Sequence, residues 1–126
     1  MKYSQSFRKL IVWQKAKELT LYVYDNMDGF PKTEQYALCS QLKRASYSVI
    51  ANIAEGNNRR TKKDKIHFFT MSLSSLTELD CLLELSHDLK FVKDEAYEIF
   101  QEEVNKTAYL LRRLITGADK KLSPRS

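Results

Sequence analysis

The segment Asn57-Asn58-Arg59-Arg60-Thr61-Lys62-Lys63-Asp64-Lys65 sets five cations, Arg59, Arg60, Lys62, Lys63 and Lys65, against one carboxylate. Charge at that density suits a polyanion, whose phosphates exchange their counterions for Lys and Arg side chains. If a helix starts at Lys62, Lys62 and Lys63 occupy its first turn, where the dipole disfavours each cation by about 0.3–1 kcal/mol. Local stability therefore does not account for them, whereas an external anion such as nucleic-acid phosphate does. Two further basic groups flank the chain: Lys2, Arg8, Lys9, Lys15 and Lys17 at the start, and Arg112, Arg113, Lys120, Lys121 and Arg125 at the end. No aromatic platform or groove-reading motif accompanies these charges, so the expected contact is nonspecific and made to phosphates. The competing reading of a bare charge run is a solvated loop that serves solubility.

A second constellation is Gln41, Arg44, Ser48, Asn52 and Glu55, which recur at helical steps one residue ahead of an apolar stripe. Ser75 and Glu78 offer partners one turn apart on a later segment. Arg44 or Asn52 meeting Glu78 would make a partly buried network that fixes helix register. Used instead as a catalytic or ligand site, Arg44, Asn52, Glu55 and Glu78 would have to line an open polar pocket. Other catalytic signatures are thin. Glu84-Leu85-Ser86-His87 and the poorer Asp64-Lys65-Ile66-His67 have di-iron spacing, but such a centre needs the motif on two facing helices plus two more carboxylates. Both fall in one expected helix, so no metal site is assigned. No glycine loop cradles phosphate, two histidines complete no nucleophilic triad, and Glu95, Glu98 and Glu102 form a solvated stripe. The expectation is a protein without enzymatic activity or cofactor.

These residues must be positioned by helices. At 126 residues, 43% of them apolar and 29% charged, the chain is one soluble domain, residues 1–126. Three Gly and two Pro supply too little turn chemistry for an all-β fold, so the expected class is all-α. Val12, Ala16, Leu19, Val23 and Met27 mark a first helix over 10–28, stopped at Asp28-Gly29 and followed by the extended Phe30-Pro31. With Thr33 as N-cap, Leu38, Leu42, Ala45, Val49 and Ile53 carry a second over 34–56, ended by a left-handed Gly56. Thr61 and Asp64 open a third over 62–89 with Ile66, Phe69, Leu73, Leu76, Leu79 and Leu83 inside, and a fourth spans 94–117 to Gly117, leaving 120–126 as a polar tail. Loops this short favour an antiparallel up-down-up-down four-helix bundle. That topology brings both termini and the 57–65 loop to one end, where the three basic groups converge.

The third helix also carries Phe68, Met71, Leu82 and Leu85 outside its core stripe, and the first adds Ile11, Trp13, Leu21 and Tyr24. Helices apolar on more than one side are covered on more than one side, so self-association into a homo-oligomer is expected. No apolar run reaches the roughly 18 residues of a membrane span, and the N-terminus has no secretory pattern. Cys39 and Cys81, inside helical patterns, read as separate buried, reduced thiols, which places the protein in the cytoplasm.

The blocks FRKLIVWQKAKEL, FPKTEQYALCSQLKRASYSVIANIAEGNNR and SLSSLTELDCLLE resemble the bacterial ribosomal-RNA intervening-sequence proteins. The likeness spans most of the chain and is most specific in Phe30-Pro31, Glu34, Gln41-Leu42, Arg44-Ala45, Ser48 and Asn52-Ile53-Ala54-Glu55-Gly56. It implies a four-helix bundle in a ring-like homopentamer. A more distant relative, the accessory variability determinant of diversity-generating retroelements, implies nucleic acid, RNA or DNA, and a reverse transcriptase as partner classes. Ile50 stands where the family commonly has proline, and Ser74 where it often has glycine; neither change disturbs a helix. The leading expectation is a homopentameric scaffold contacting phosphates through Arg59, Arg60, Lys62, Lys63, Lys65, Lys120 and Lys121. The runner-up is an adaptor for a protein such as a retroelement reverse transcriptase.

Overall fold

The computed structural model describes residues 6–122, with side chains over 7–117. Four helices make up the fold: α1 (Ile11–Asp25), α2 (Leu38–Asn57), α3 (Lys62–Asp88) and α4 (Asp94–Leu122). Short 3-10 turns cover Ser6–Lys9, Met27–Gly29 and Lys32–Glu34, and the described residues contain no strand.

The helix ends show where local chemistry decides. Thr61 is extended (φ −95°, ψ 150°) and its hydroxyl accepts the Asp64 N–H at 3.1 Å, capping α3 as the sequence predicts. Helix α1 stops at Asp25, three residues before the expected 28, and Asn26 Nδ2 donates to the Tyr22 carbonyl at 2.8 Å. Helix α2 begins at Leu38 rather than 34, and Thr33 does not cap it. Instead the N–H groups of Glu34, Gln35 and Ala37 bond to the carbonyls of Pro31, Lys32 and Glu34 at 2.9–3.1 Å, so the segment is satisfied by tighter turns. Gly56 is not a left-handed stop: α2 continues to Asn57, and no described glycine has positive φ. Gly117 likewise lies inside α4, which runs to Leu122 and takes in the first residues of the expected tail; 123–126 lie outside the described residues.

The left-handed stop falls on a lysine. After α3, Lys90 has φ 67°, its N–H bonds to the His87 carbonyl, and the Phe91 N–H reaches back to Ser86, both at 2.9 Å. This pairing satisfies two terminal carbonyls of α3 and turns the chain into α4.

Helix α2 packs on α3, α3 on α4, and α1 on both α2 and α4. The core takes Ala16, Leu19 and Val23 from α1, Leu42, Ala45, Val49 and Ile53 from α2, Leu76, Leu79 and Leu83 from α3, and Phe100, Val104 and Leu111 from α4. Of the residues predicted inside α3, Leu73 packs against this core half-buried, and Ile66 is half-buried. Small hydroxyls between the helices satisfy themselves on backbone: Ser72 donates to the Val49 carbonyl at 2.7 Å, and Thr20 to the carbonyls of Ala16 and Ser46 at 2.9 and 3.2 Å. Their small size brings α2 close to its neighbours without orphaning a donor. The α1–α2 connection meets the α3–α4 connection where Phe30 and Phe91 stand 5.4 Å apart, and a Cβ on Gly29 would come within 2.7 Å of the Phe91 carbonyl oxygen.

Candidate nucleic-acid interface

Helix α2 ends at Asn57 and α3 starts at Lys62, so the basic loop is a four-residue connection between packed helices. The structure divides its cations into two kinds. Arg59 pairs with Glu55 at 3.0 Å, one turn back, and its guanidinium lies over the Phe68 ring, 4.4 Å from the centroid. Lys65 donates its Nζ to the Asn57 carbonyl at 2.9 Å, placing a cation at the negative end of α2. Arg60 and Lys63 are exposed and hold no hydrogen bond or ion pair among the described residues. Lys62 and Lys63 stand in the first turn of α3, the electrostatically unfavourable position expected from sequence.

Beside this loop a cleft of about 360 Å³ opens among four helix ends. Leu10 leads into α1, Asn57 ends α2, Lys62, Lys65 and Phe69 belong to the first turns of α3, and Arg113, Leu114 and Gly117 come from α4. Arg113 and its neighbour Arg112 are exposed, so cations from α4 stand at the end that carries the loop. The side chains of Lys120 and Lys121, and Lys2 and Arg125 altogether, lie outside the described residues.

Aromatic groups accompany the charges, contrary to the sequence reading. His67 is exposed and meets Phe68 edge-on at 5.2 Å, while Arg59 covers the Phe68 face. Phe69, one residue on, is buried against Gly56, whose missing Cβ would stand 2.6 Å from the ring. In the sequence, Phe68 counted only as surplus apolar surface, because nothing local indicates that Arg59 folds back on it.

The polar seam forms in two separate pieces. Arg44 bonds to Glu78 across the α2–α3 groove and to Gln41 Oε1 at 3.0 Å. One turn on, Ser48 and Ser75 share a 2.9 Å hydroxyl bond, and Asn52 Nδ2 donates to the Ser48 carbonyl at 2.9 Å. Glu55 turns away to Arg59. Neither the cleft at Lys65 nor the open hollow of about 490 Å³ at the α3–α4 turn includes a seam residue. In that hollow His87 Nε2 meets the Asp94 carboxylate at 2.7 Å and stacks flat on Tyr97. Burial, then the carboxylates of Glu84, Asp80 and Asp88, push the Tyr97 phenol up. No group of three metal-ligating side chains gathers among the described residues. Burial also raises the Cys39 thiol, the larger effect, against an opposing pull from Lys43, whereas Cys81, expected to be buried as well, is exposed because it falls off the core stripe of α3. No helix of the described residues is long and apolar enough to cross a membrane.

Comparison with known proteins bears on the whole bundle. The family described as 23S rRNA-intervening sequence protein matches residues 8–113. A crystal structure from Bacteroides thetaiotaomicron, of a protein with unknown function from the S23 ribosomal protein family, superposes with a TM-score of 0.77 at 22% identity. The alignment covers 83% of this chain and 98% of that one, a likeness of fold. No curated protein matches the chain.

Proposed function

The chain belongs to the 23S rRNA-intervening sequence protein family, and we propose that it is a non-enzymatic, basic homopentameric scaffold that binds nucleic acid, RNA or DNA, through phosphate contacts in the cytoplasm. The observation that carries this reading is the gathering of cations from α3 and α4 and the α2–α3 loop around one end of a four-helix bundle. In it the helices run alternately up and down, which the cleft shared by the start of α1, the end of α2, the start of α3 and the end of α4 supports. Arg60 and Lys63 make the phosphate contacts, with Arg59, Lys62 and Lys65 beside them and Lys120 and Lys121 added from the chain end.

Assembly into a pentamer draws support from apolar side chains left outside the core. Ile11 is 61% exposed and Leu21 55% on α1, and Met71 and Leu85 are exposed on α3. A second copy covering such faces removes them from water at about 25 cal/mol per Å². The same surface favours a second reading, an adaptor whose first partner is a protein such as a reverse transcriptase.

The test is binding to structured RNA and duplex DNA across a salt series, with particle mass measured by light scattering in the same buffer. Micromolar or tighter binding by a particle of five chains, falling steeply with salt, is expected. Replacing Arg60 and Lys63 by alanine should flatten the log–log salt dependence by roughly 0.9 for each duplex phosphate that is no longer neutralised. A pentamer with affinity for neither polymer moves the function to the protein-partner reading.

A further inference from the structure

We propose that the basic end of the bundle takes unpaired nucleotides in preference to duplex, seating a base in the cleft among the four helix ends while the nearby cations hold its phosphates. The inference rests on the phosphate reading above and adds the form of nucleic acid bound.

A surface that meets only the outside of a duplex needs cations and little else, because the bases are stacked away from it. Here cations and apolar side chains line one cleft. The cleft of about 360 Å³ is lined by the apolar Leu10, Phe69 and Leu114 together with the cations Lys62, Lys65 and Arg113. Lys65 is pinned by its bond to the Asn57 carbonyl, so one wall is preorganised. A recess lined by both apolar and cationic side chains matches a flat, weakly polar base joined to an anionic backbone.

An independent feature lies on the adjoining face of the same helix turns. Arg59 is stacked on Phe68 at 4.4 Å and held in place by Glu55 at 3.0 Å, with 43% of its side chain exposed. The guanidinium lies over the ring and the side chain keeps part of its surface open to solvent. Arginine planes and aromatic rings are the surfaces on which splayed bases stack, and His67, edge-on to Phe68, stands exposed beside them as a further ring. Stacking of this kind tolerates any base, in keeping with the absence of a base-reading motif.

The experiment compares three ligands of equal length by fluorescence anisotropy at one salt concentration: an unstructured single strand, its duplex, and an abasic single strand carrying the same phosphates. The intact strand should bind at least about tenfold more tightly than the abasic one, the scale of base–aromatic stacking, and more tightly than the duplex. Phe68→Leu should weaken the intact strand several-fold and leave the abasic strand unchanged, with circular dichroism confirming the helical fold. Equal affinity for intact and abasic strands, or tighter binding of duplex, overturns the inference while the phosphate reading stands. No affinity for any of the three overturns both.

Discussion

Replacing Gly56 by alanine separates two physical accounts of one residue. Gly56 is buried in the last turn of α2 with no positive φ, so on backbone grounds alone alanine should stabilise the helix by about 0.5–1 kcal/mol. The neighbours oppose this. An added Cβ would lie 2.6 and 2.8 Å from two atoms of the Phe69 ring and 3.1 Å from the Phe68 Cβ. Phe69 is 3% exposed and cannot swing into solvent, so α2 and α3 must separate by several tenths of an ångström. Overpacking of this sort costs about 1–3 kcal/mol, which against that gain leaves a net loss of up to about 2.5 kcal/mol. In a Phe69→Leu background most of the clash is gone, and the same change should be neutral or stabilising by up to about 1 kcal/mol. The assay is urea unfolding followed by far-UV circular dichroism at fixed protein concentration, on the four members of the cycle. Coupling of about 1–3 kcal/mol between the two positions is expected. An additive loss, the same whatever residue 69 is, would refute the close-approach account and restore a left-handed cap at Gly56.

Two further outcomes test the fold. Lys90→Gly should raise stability by about 0.5–1 kcal/mol, since an L side chain at φ 67° carries a cost that the greater unfolded entropy of glycine only partly returns; a lower urea midpoint would show that the lysine side chain itself holds the turn. For Arg44 and Glu78, whose side chains are 44% and 40% exposed, a double-alanine cycle should give coupling of only about 0.2–1 kcal/mol. A coupling above about 2 kcal/mol would mean that the pair behaves as a desolvated one.

The helices were legible because their apolar periods are long: every predicted α2 core residue from Leu38 to Ile53 is buried. The Thr61 cap was legible because Thr and Asp three residues apart carry their own geometry. Glycine misled for a physical reason. Gly29, Gly56 and Gly117 read as stops, yet two are small because another chain segment passes close, and Gly117 has nothing within 4 Å. Close approach is a tertiary property that no local window contains. The same limit hid the Arg59–Phe68 stack: the two residues are separated by a helix start, and only the fold of α3 back along α2 brings the guanidinium over the ring. The seam was half legible, since its spacing put Arg44 and Asn52 within reach of Glu78, but spacing could not tell that Arg44 would take it, nor that Glu55 would choose Arg59.

That choice changes which charges carry functional information. Five cations in one loop look equivalent in the sequence, but Lys65 has a local reason to exist, because it satisfies a carbonyl at the C-terminal end of α2, where the dipole favours positive charge. Arg59 has one too, in Glu55 and Phe68. Removing either would disturb the helix ends and binding together, so a loss of affinity would not distinguish phosphate contact from a loosened loop. Lys63 is the opposite case: it stands exposed in the first turn of α3, where the dipole opposes it, and it holds no hydrogen bond or ion pair among the described residues. Arg60, exposed in the connection itself, has no partner among the described residues either. An unfavourable charge without an internal partner is the one that an external anion would stabilise. The Arg60 and Lys63 variants therefore read the phosphate contact with the fold held constant, and the Arg59 platform is better interrogated by changing the ligand than by changing the arginine.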